Sequence, residues 1–242
     1  METHKSGCLI CGKPLRYFDP AAKLKCGICG REFESDVFCE EEHFVCDGCH
    51  SQAGYESISR LALSTGSRNP LLIAREMMEN NFINMHGPEH HYLVIAALLA
   101  AYKNSGGLID LAKLLSTARK RAEKVPGGIC GFWGACGAAI GSGIFISLVT
   151  GATPLSVDEW RLANLMTSRS LDSIARNGGP RCCKRNTYLA ILSAVDFVRE
   201  NMGLSLERPE APVCSFFGGN PNCRKRACVF FPPGKSTAAP ET

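Results

Sequence analysis

The sequence has no Gly-x-Gly-x-x-Gly, no Gly-x4-Gly-Lys-Ser/Thr and no Cys-x3-Cys-x2-Cys. Those absences argue against a nucleotide-binding fold and against a radical enzyme within this chain. A dominant charge sign is lacking too. Lys plus Arg is 27 against 23 Asp plus Glu, a net charge of +4 that is too mild to indicate nucleic acid by itself. Residues 1–7 are polar and lack the apolar stretch of a secretory signal. Export is therefore not expected, and with it the disulfide-framework reading of the cysteines weakens. Strand signal is scarce beyond residue 45, and there is no repeat of solenoid type. Residues 126–157 carry no charge, but eight glycines interrupt them and Gly151-Ala152-Thr153-Pro154 ends them. A buried, tightly packed helix is expected there rather than a membrane span.

What the chain does have is cysteine, 14 of 242 residues, in a composition that is 45% hydrophobic and 21% charged and so able to bury a sizeable core. The first fifty residues are turn-rich and short of periodic apolar residues, so they need a staple. Cys8-x2-Cys11-Gly12 and Cys26-x2-Cys29-Gly30 are matched knuckles. Each places two thiolates on one side of a tight turn that the glycine permits. Paired, they predict one tetrahedral site of Cys8, Cys11, Cys26 and Cys29. Cys39, His43, Cys46 and Cys49 predict a second, with His50 as a substitute ligand. The alternative interleaves them, Cys8/Cys11 with the third pair and Cys26/Cys29 with the fourth. Zinc is the expected ion, one or two per chain, with iron in a rubredoxin-like site as the other reading.

From residue 46 the pattern is helical. Helices are expected over 47–64, over 70–80 behind Asn69-Pro70, over 88–103, and over 108–124 with basic last turns. Three more are expected over 132–149, over 156–176 behind a Ser156–Glu159 capping box, and over 183–202. The predicted class is mainly α: a bundle-like helical core over 53–231, a zinc-ribbon or treble-clef-like module over 1–52, and a disordered tail over 232–242.

Chemistry is concentrated in three further places. Three histidines and Glu89 lie within Met85-His86-Gly87-Pro88-Glu89-His90-His91, where His90 is a candidate proton carrier. Cys130 and Cys136 flank a Trp in a run whose glycines each cost about 1 kcal/mol in a helix and need a return from close packing or a ligand. Arg181-Cys182-Cys183-Lys184-Arg185 sets adjacent thiols among cations at a helix start. The tail adds Cys214, Cys223 and Cys228 beside Arg224-Lys225-Arg226. Cations offset the negative charge of a thiolate-ligated iron–sulfur cluster, so a shared thiolate site is expected from these seven cysteines. A [4Fe–4S] cluster is one candidate occupant. In a thiol-redox or sulfur-transfer reading, Cys182 and Cys183 are the reactive thiols.

These motifs, with Gly151-Ala152-Thr153-Pro154-Leu155 and Gly179-Pro180-Arg181-Cys182-Cys183, resemble a domain-of-unknown-function family found mainly in anaerobic archaea and bacteria. The resemblance spans nearly the whole chain to Phe231. It implies a cytoplasmic protein of anaerobes, N-terminal knuckles like those of other members, and a protein partner such as a methyltransferase, since some members are joined to methyltransferase-like domains. It brings no activity. A shorter similarity joins Cys136-Gly137-Ala138 and Cys182-Cys183 to a small redox family with a Cys-Gly-Ala and Cys-Cys pattern. The competing expectation is a non-catalytic zinc-ribbon adaptor that docks an enzyme or RNA, its core thiols inert.

Overall fold

The computed structural model describes residues 7–207, 210 and 212–235. Of the tail expected over 232–242, residues 236–242 lie outside these. The chain opens with an antiparallel hairpin, β1 (Leu15–Lys25) and β2 (Glu32–Cys39). Leu15 pairs with Cys39 at its open end and Lys25 with Glu32 at its closed end. The register slips between Tyr17 and Ala22, where Pro20 lacks the N–H a ladder needs. Among the described residues eight α-helices follow: α1 (Asp47–Ser64), α2 (Pro70–Glu79), α3 (Glu89–Asn104), α4 (Leu111–Ala122), α5 (Ile129–Phe132), α6 (Gly137–Thr150), α7 (Asp158–Arg176) and α8 (Cys183–Asn201).

Helix α3 is the hub. Its sequence is apolar around most of its circumference, and a helix with no polar face is stable only when surrounded. Residues Tyr92 to Ala101 are all fully buried, and α1, α2, α4, α6 and α8 pack around them. The uncharged stretch supplies α6, and its glycines allow close crossing. A Cβ at Gly141 would stand 2.7 Å from the His91 carbonyl oxygen, and one at Gly137 would meet the His91 ring at 2.2 Å. None of the described helices is long and apolar enough to cross a membrane.

Several helix starts follow local chemistry. The Asn69 side chain accepts from the N–H groups of Leu71 and Leu72, with Pro70 in the first turn. Asp110 accepts from Lys113 N–H, so α4 starts at Leu111 rather than at 108. Two expectations are corrected. The single helix over 132–149 is broken between Phe132 and Gly137, because Gly134 takes a positive φ of 66° and Cys136 is extended. The Ser156–Glu159 capping box does not form. Ser156 Oγ accepts from Thr153 N–H at 3.0 Å, and α7 starts after Val157 with no side-chain cap. Helix α1 also runs across the expected boundary at residue 52. It begins inside the cysteine-rich module and packs on α3, so module and core share an element.

Candidate metal centres and a thiol-lined pocket

The N-terminal cysteines gather into two groups of four. Cys8, Cys11, Cys39 and His43 form one, and Cys26, Cys29, Cys46 and Cys49 the other. Within each group the ligand atoms all lie within 4.8 Å of one another. Cys11 Sγ is 3.7 Å from Cys39 Sγ, Cys39 Sγ is 3.6 Å from His43 Nδ1, and Cys29 Sγ is 3.9 Å from Cys46 Sγ. This corrects the expected grouping of the first two knuckles together, and the interleaved arrangement is the one observed. The hairpin explains it. The Cys26/Cys29 knuckle sits at its closed end, beyond the Lys25–Glu32 pair. The Cys8/Cys11 knuckle precedes β1 at the open end, beside Cys39. Two full strands hold the knuckles apart, while the Cys26–Phe44 bridge draws the entry to α1 onto the second knuckle. His50 joins neither group; its Nδ1 is 3.5 Å from Glu89 Oε2.

Main-chain donors reach two of the buried sulfurs. Ile10 N–H donates to Cys8 Sγ and Cys46 N–H to Cys26 Sγ, each at 3.4 Å. Burial works to raise Cys26 and Cys39, but such N–H groups outweigh it and bring them to about 6 and about 7. Beside these groups the described part of the module has a small apolar cluster around Phe44 and a Phe18–Phe38 ring contact.

The core thiols divide into two sets. Cys182, Cys214, Cys223 and Cys228 line one pocket. The tail is held over it by buried Phe216 and Phe230, by the edge-on contact of Phe230 with Tyr188, and by Cys214 N–H donating to the Phe230 carbonyl at 2.8 Å. Sulfur after sulfur in this pocket accepts an N–H. Phe216 N–H donates to Cys214 Sγ at 3.4 Å and Lys225 N–H to Cys223 Sγ at 3.3 Å. These repeat the two-residue offset of Ile10 and Cys8. Cys182 is the N-cap of α8 and accepts from Arg185 N–H, with Asn220 Nδ2 3.7 Å away. Burial raises the Cys182 thiol and pushes Cys214 to about 11, so both are neutral in the free protein.

Cys183 is not part of that cavity. Burial pushes it to about 12, against the lowering effect of the Arg181 guanidinium. Cys130 in turn senses Cys136 and Arg181. The single shared site expected from seven cysteines is not formed: Cys130, Cys136 and Cys183 are not among the residues that line the pocket of the other four.

Beneath both lies a buried polar layer. Glu89 is fully buried, accepts from Asn84 N–H at 3.0 Å and contacts His50. Burial acts to raise its pKa and is outweighed, by the His50 contact first, leaving it near 2. His90 is inside the protein, not in an exposed first turn. Its Nδ1 lies 3.2 Å from the Gly87 carbonyl, its Nε2 has no partner, and burial holds it neutral, far below the usual imidazole range. Lys184 is fully buried as well. Its Nζ has a long 3.4 Å bond to the Met78 carbonyl and sits over the Phe216 ring at 4.7 Å. Desolvation lowers it to about 8. Asn186, Tyr188 and Asn220 were not singled out by their chemistry in the sequence, and Lys184 was read only as one of the cations beside Cys182 and Cys183.

The model of a family of unknown function (DUF5714) matches residues 58–231, a span that ends at the Phe231 beside the tail cysteines and excludes the N-terminal knuckles. No curated protein and no solved structure matches the chain.

Proposed function

The chain belongs to the DUF5714 family, and on that footing we propose that it is a zinc- and iron–sulfur-binding protein of the cytoplasm. In this reading the Cys182, Cys214, Cys223 and Cys228 pocket is the functional centre. Zinc suits the N-terminal groups. A Zn–S bond of about 2.3 Å gives a tetrahedral edge of about 3.8 Å, and the sulfur pairs there stand 3.7 and 3.9 Å apart. With four protein ligands each, these sites are closed and structural.

The observation that carries the central reading is the union of four thiols, their N–H donors and a buried cation around one cavity. Lys184 is buried next to Cys182 and Cys214, with Glu89 as the carboxylate that opposes its desolvation. Burying an ammonium in this way is costly unless an anion is added, and a four-thiolate cluster supplies that charge. Tyr188 Oη, buried with no partner at the same cavity, is a further donor without a target. Among the described residues, the tight convergence within 4.8 Å occurs only in the N-terminal groups. When bound, an iron–sulfur cluster supplies one-electron transfer. The chain's own part is to hold four thiolates, to direct N–H groups at them and to exclude water with Phe216, Phe230 and Tyr188.

Purification without oxygen tests this. Brown protein with equal iron and acid-labile sulfide is expected, with both lost in Cys214→Ser and Cys228→Ser while zinc and helix content stay. Colourless protein containing only zinc would favour the adaptor reading, in which the core thiols are inert and a partner enzyme docks on the ribbon.

A further inference from the structure

The thiol pocket is built from segments of one charge sign. Apart from Met85, its lining side chains come from residues 177–195 and 211–235, which hold seven Lys and Arg and no Asp or Glu. The other 20 Lys and Arg share the rest of the chain with all 23 acidic residues. The mild net charge of +4 therefore hides a positive pole on a chain that is otherwise slightly negative. The fold draws these cations together. Arg185 Nη2 donates to the Gly178 carbonyl at 2.7 Å and to the Pro180 carbonyl at 3.0 Å, and Arg224 Nη1 donates to the Asn177 carbonyl. Guanidiniums from α8 and from the tail thus clasp one loop, and Arg181 directly follows it. Carbonyl partners leave the positive charge unneutralised. Among the described residues none of Arg181, Arg185, Arg224 and Arg226 forms a salt bridge. An anionic cluster inside the pocket would offset buried Lys184 and leave exposed Arg226 facing solvent.

Apolar side chains accompany the charge. Cys214 N–H donates to the Phe230 carbonyl at 2.8 Å, which brings the preceding residues Val213 and Val229 close together. Both are exposed, at 55% and 63%, and Val229 lies three residues beyond Arg226. Exposed apolar residues rimmed by charge are the arrangement of a protein interface. A nucleic-acid strand is held instead by bases stacked on exposed rings, and here Phe216 and Phe230 are buried in the pocket. We propose that this face docks the acidic surface of a partner protein, with Val213 and Val229 at the centre of the contact and Arg181, Arg224 and Arg226 around it. The positive field steers such a partner to the mouth of the thiol pocket. The face does not need the cluster, since its cations and valines belong to the chain itself.

The test uses the full-length chain and a fluorescein-labelled glutamate–leucine peptide as the acidic probe, read by anisotropy. The peptide should bind, and its dissociation constant should rise steeply between about 50 and 200 mM salt. Arg226→Glu and the charge-neutral Val229→Ser should each weaken binding several-fold. Lys113→Glu, an equal charge change at an exposed position of α4, should not. In the wild-type chain, bound peptide should protect amides over 224–230 from hydrogen exchange, a readout that needs no variant. Protection elsewhere, equal weakening by Lys113→Glu, or no effect of Val229→Ser would overturn the proposal. Tighter binding of an oligouridylate of equal charge would overturn it in favour of RNA. Colourless protein that binds the peptide would remove the cluster reading and keep this face, and brown protein that does not bind it would do the reverse.

Discussion

Replacing Lys184 with methionine should stabilise the metal-free protein and, on the proposed cluster reading, weaken the iron-loaded one. Lys184 is fully buried, and desolvation lowers it from 10.5 to about 8. A folded-state pKa below the unfolded value means that the unfolded chain binds more protons between pH 8 and 10.5. Stability contributed by this group therefore rises with pH across that window and is at its lowest below pH 8. At about 1.4 kcal/mol per unit, the penalty for keeping the ammonium inside at pH 7 is roughly 3 kcal/mol. Methionine keeps the length and apolar bulk and gives up the long Met78 bond and the Phe216 contact. A net gain of roughly 2 kcal/mol remains, or about 1 M in urea midpoint. The assay is urea unfolding of chelated protein at pH 7 and at pH 10, both proteins side by side. The gap between variant and wild type should shrink at the higher pH, and anaerobically loaded Lys184→Met should release iron faster than wild type. An iron-free variant less stable than wild type at pH 7, or a gap unchanged with pH, would refute the reasoning.

Three other outcomes follow from the same geometry. Strong chelation, or Cys46→Ser, should unfold the hairpin module and the first turn of α1 while circular dichroism retains most of the helix, since metal binding supplies the folding energy of such modules. Gly141→Ala should cost about 1–3 kcal/mol in thermal or urea unfolding, because the new Cβ would stand 2.7 Å from the His91 carbonyl oxygen, a backbone atom that cannot swing aside. An unchanged midpoint would show that α3 and α6 separate more easily than their packing implies. Glu89 has a folded pKa near 2 against an ordinary 4.5, so its contribution is present above pH 4.5 and lost as pH falls toward 2. Glu89→Gln should flatten that part of an acid unfolding curve.

Much of the helical layout was legible because its signals are local. Asn69-Pro70, the basic end of α4 and the apolar circumference of α3 act within a turn or two of themselves. The candidate metal ligands at the N-terminus were legible for the same reason, since two residues between cysteines is a local constraint. Their grouping was not, because it depends on which end of a hairpin each knuckle occupies, and that is set by strand register. The α5–α6 break turned on one glycine taking a positive φ inside a run where any of several could have done so. The division of Cys182 from Cys183 was illegible for a simpler reason. Adjacent residues across a helix start face different neighbours, and the pocket that Cys182 lines is completed by residues 214–228 far along the chain. The burial of Lys184 was likewise hidden, because a lysine in a basic run reads as solvated until the tail closes over it.

The central claim is that four thiols from α8 and the tail hold an iron–sulfur cluster while the N-terminal groups hold zinc. Crystals grown from protein purified without oxygen, with anomalous difference maps collected at the iron and zinc edges, test it most directly. Iron density among Cys182, Cys214, Cys223 and Cys228 is predicted, with zinc density within each of the two N-terminal groups. Four bare thiols around an iron-free cavity, or a zinc ion in their midst, would contradict it.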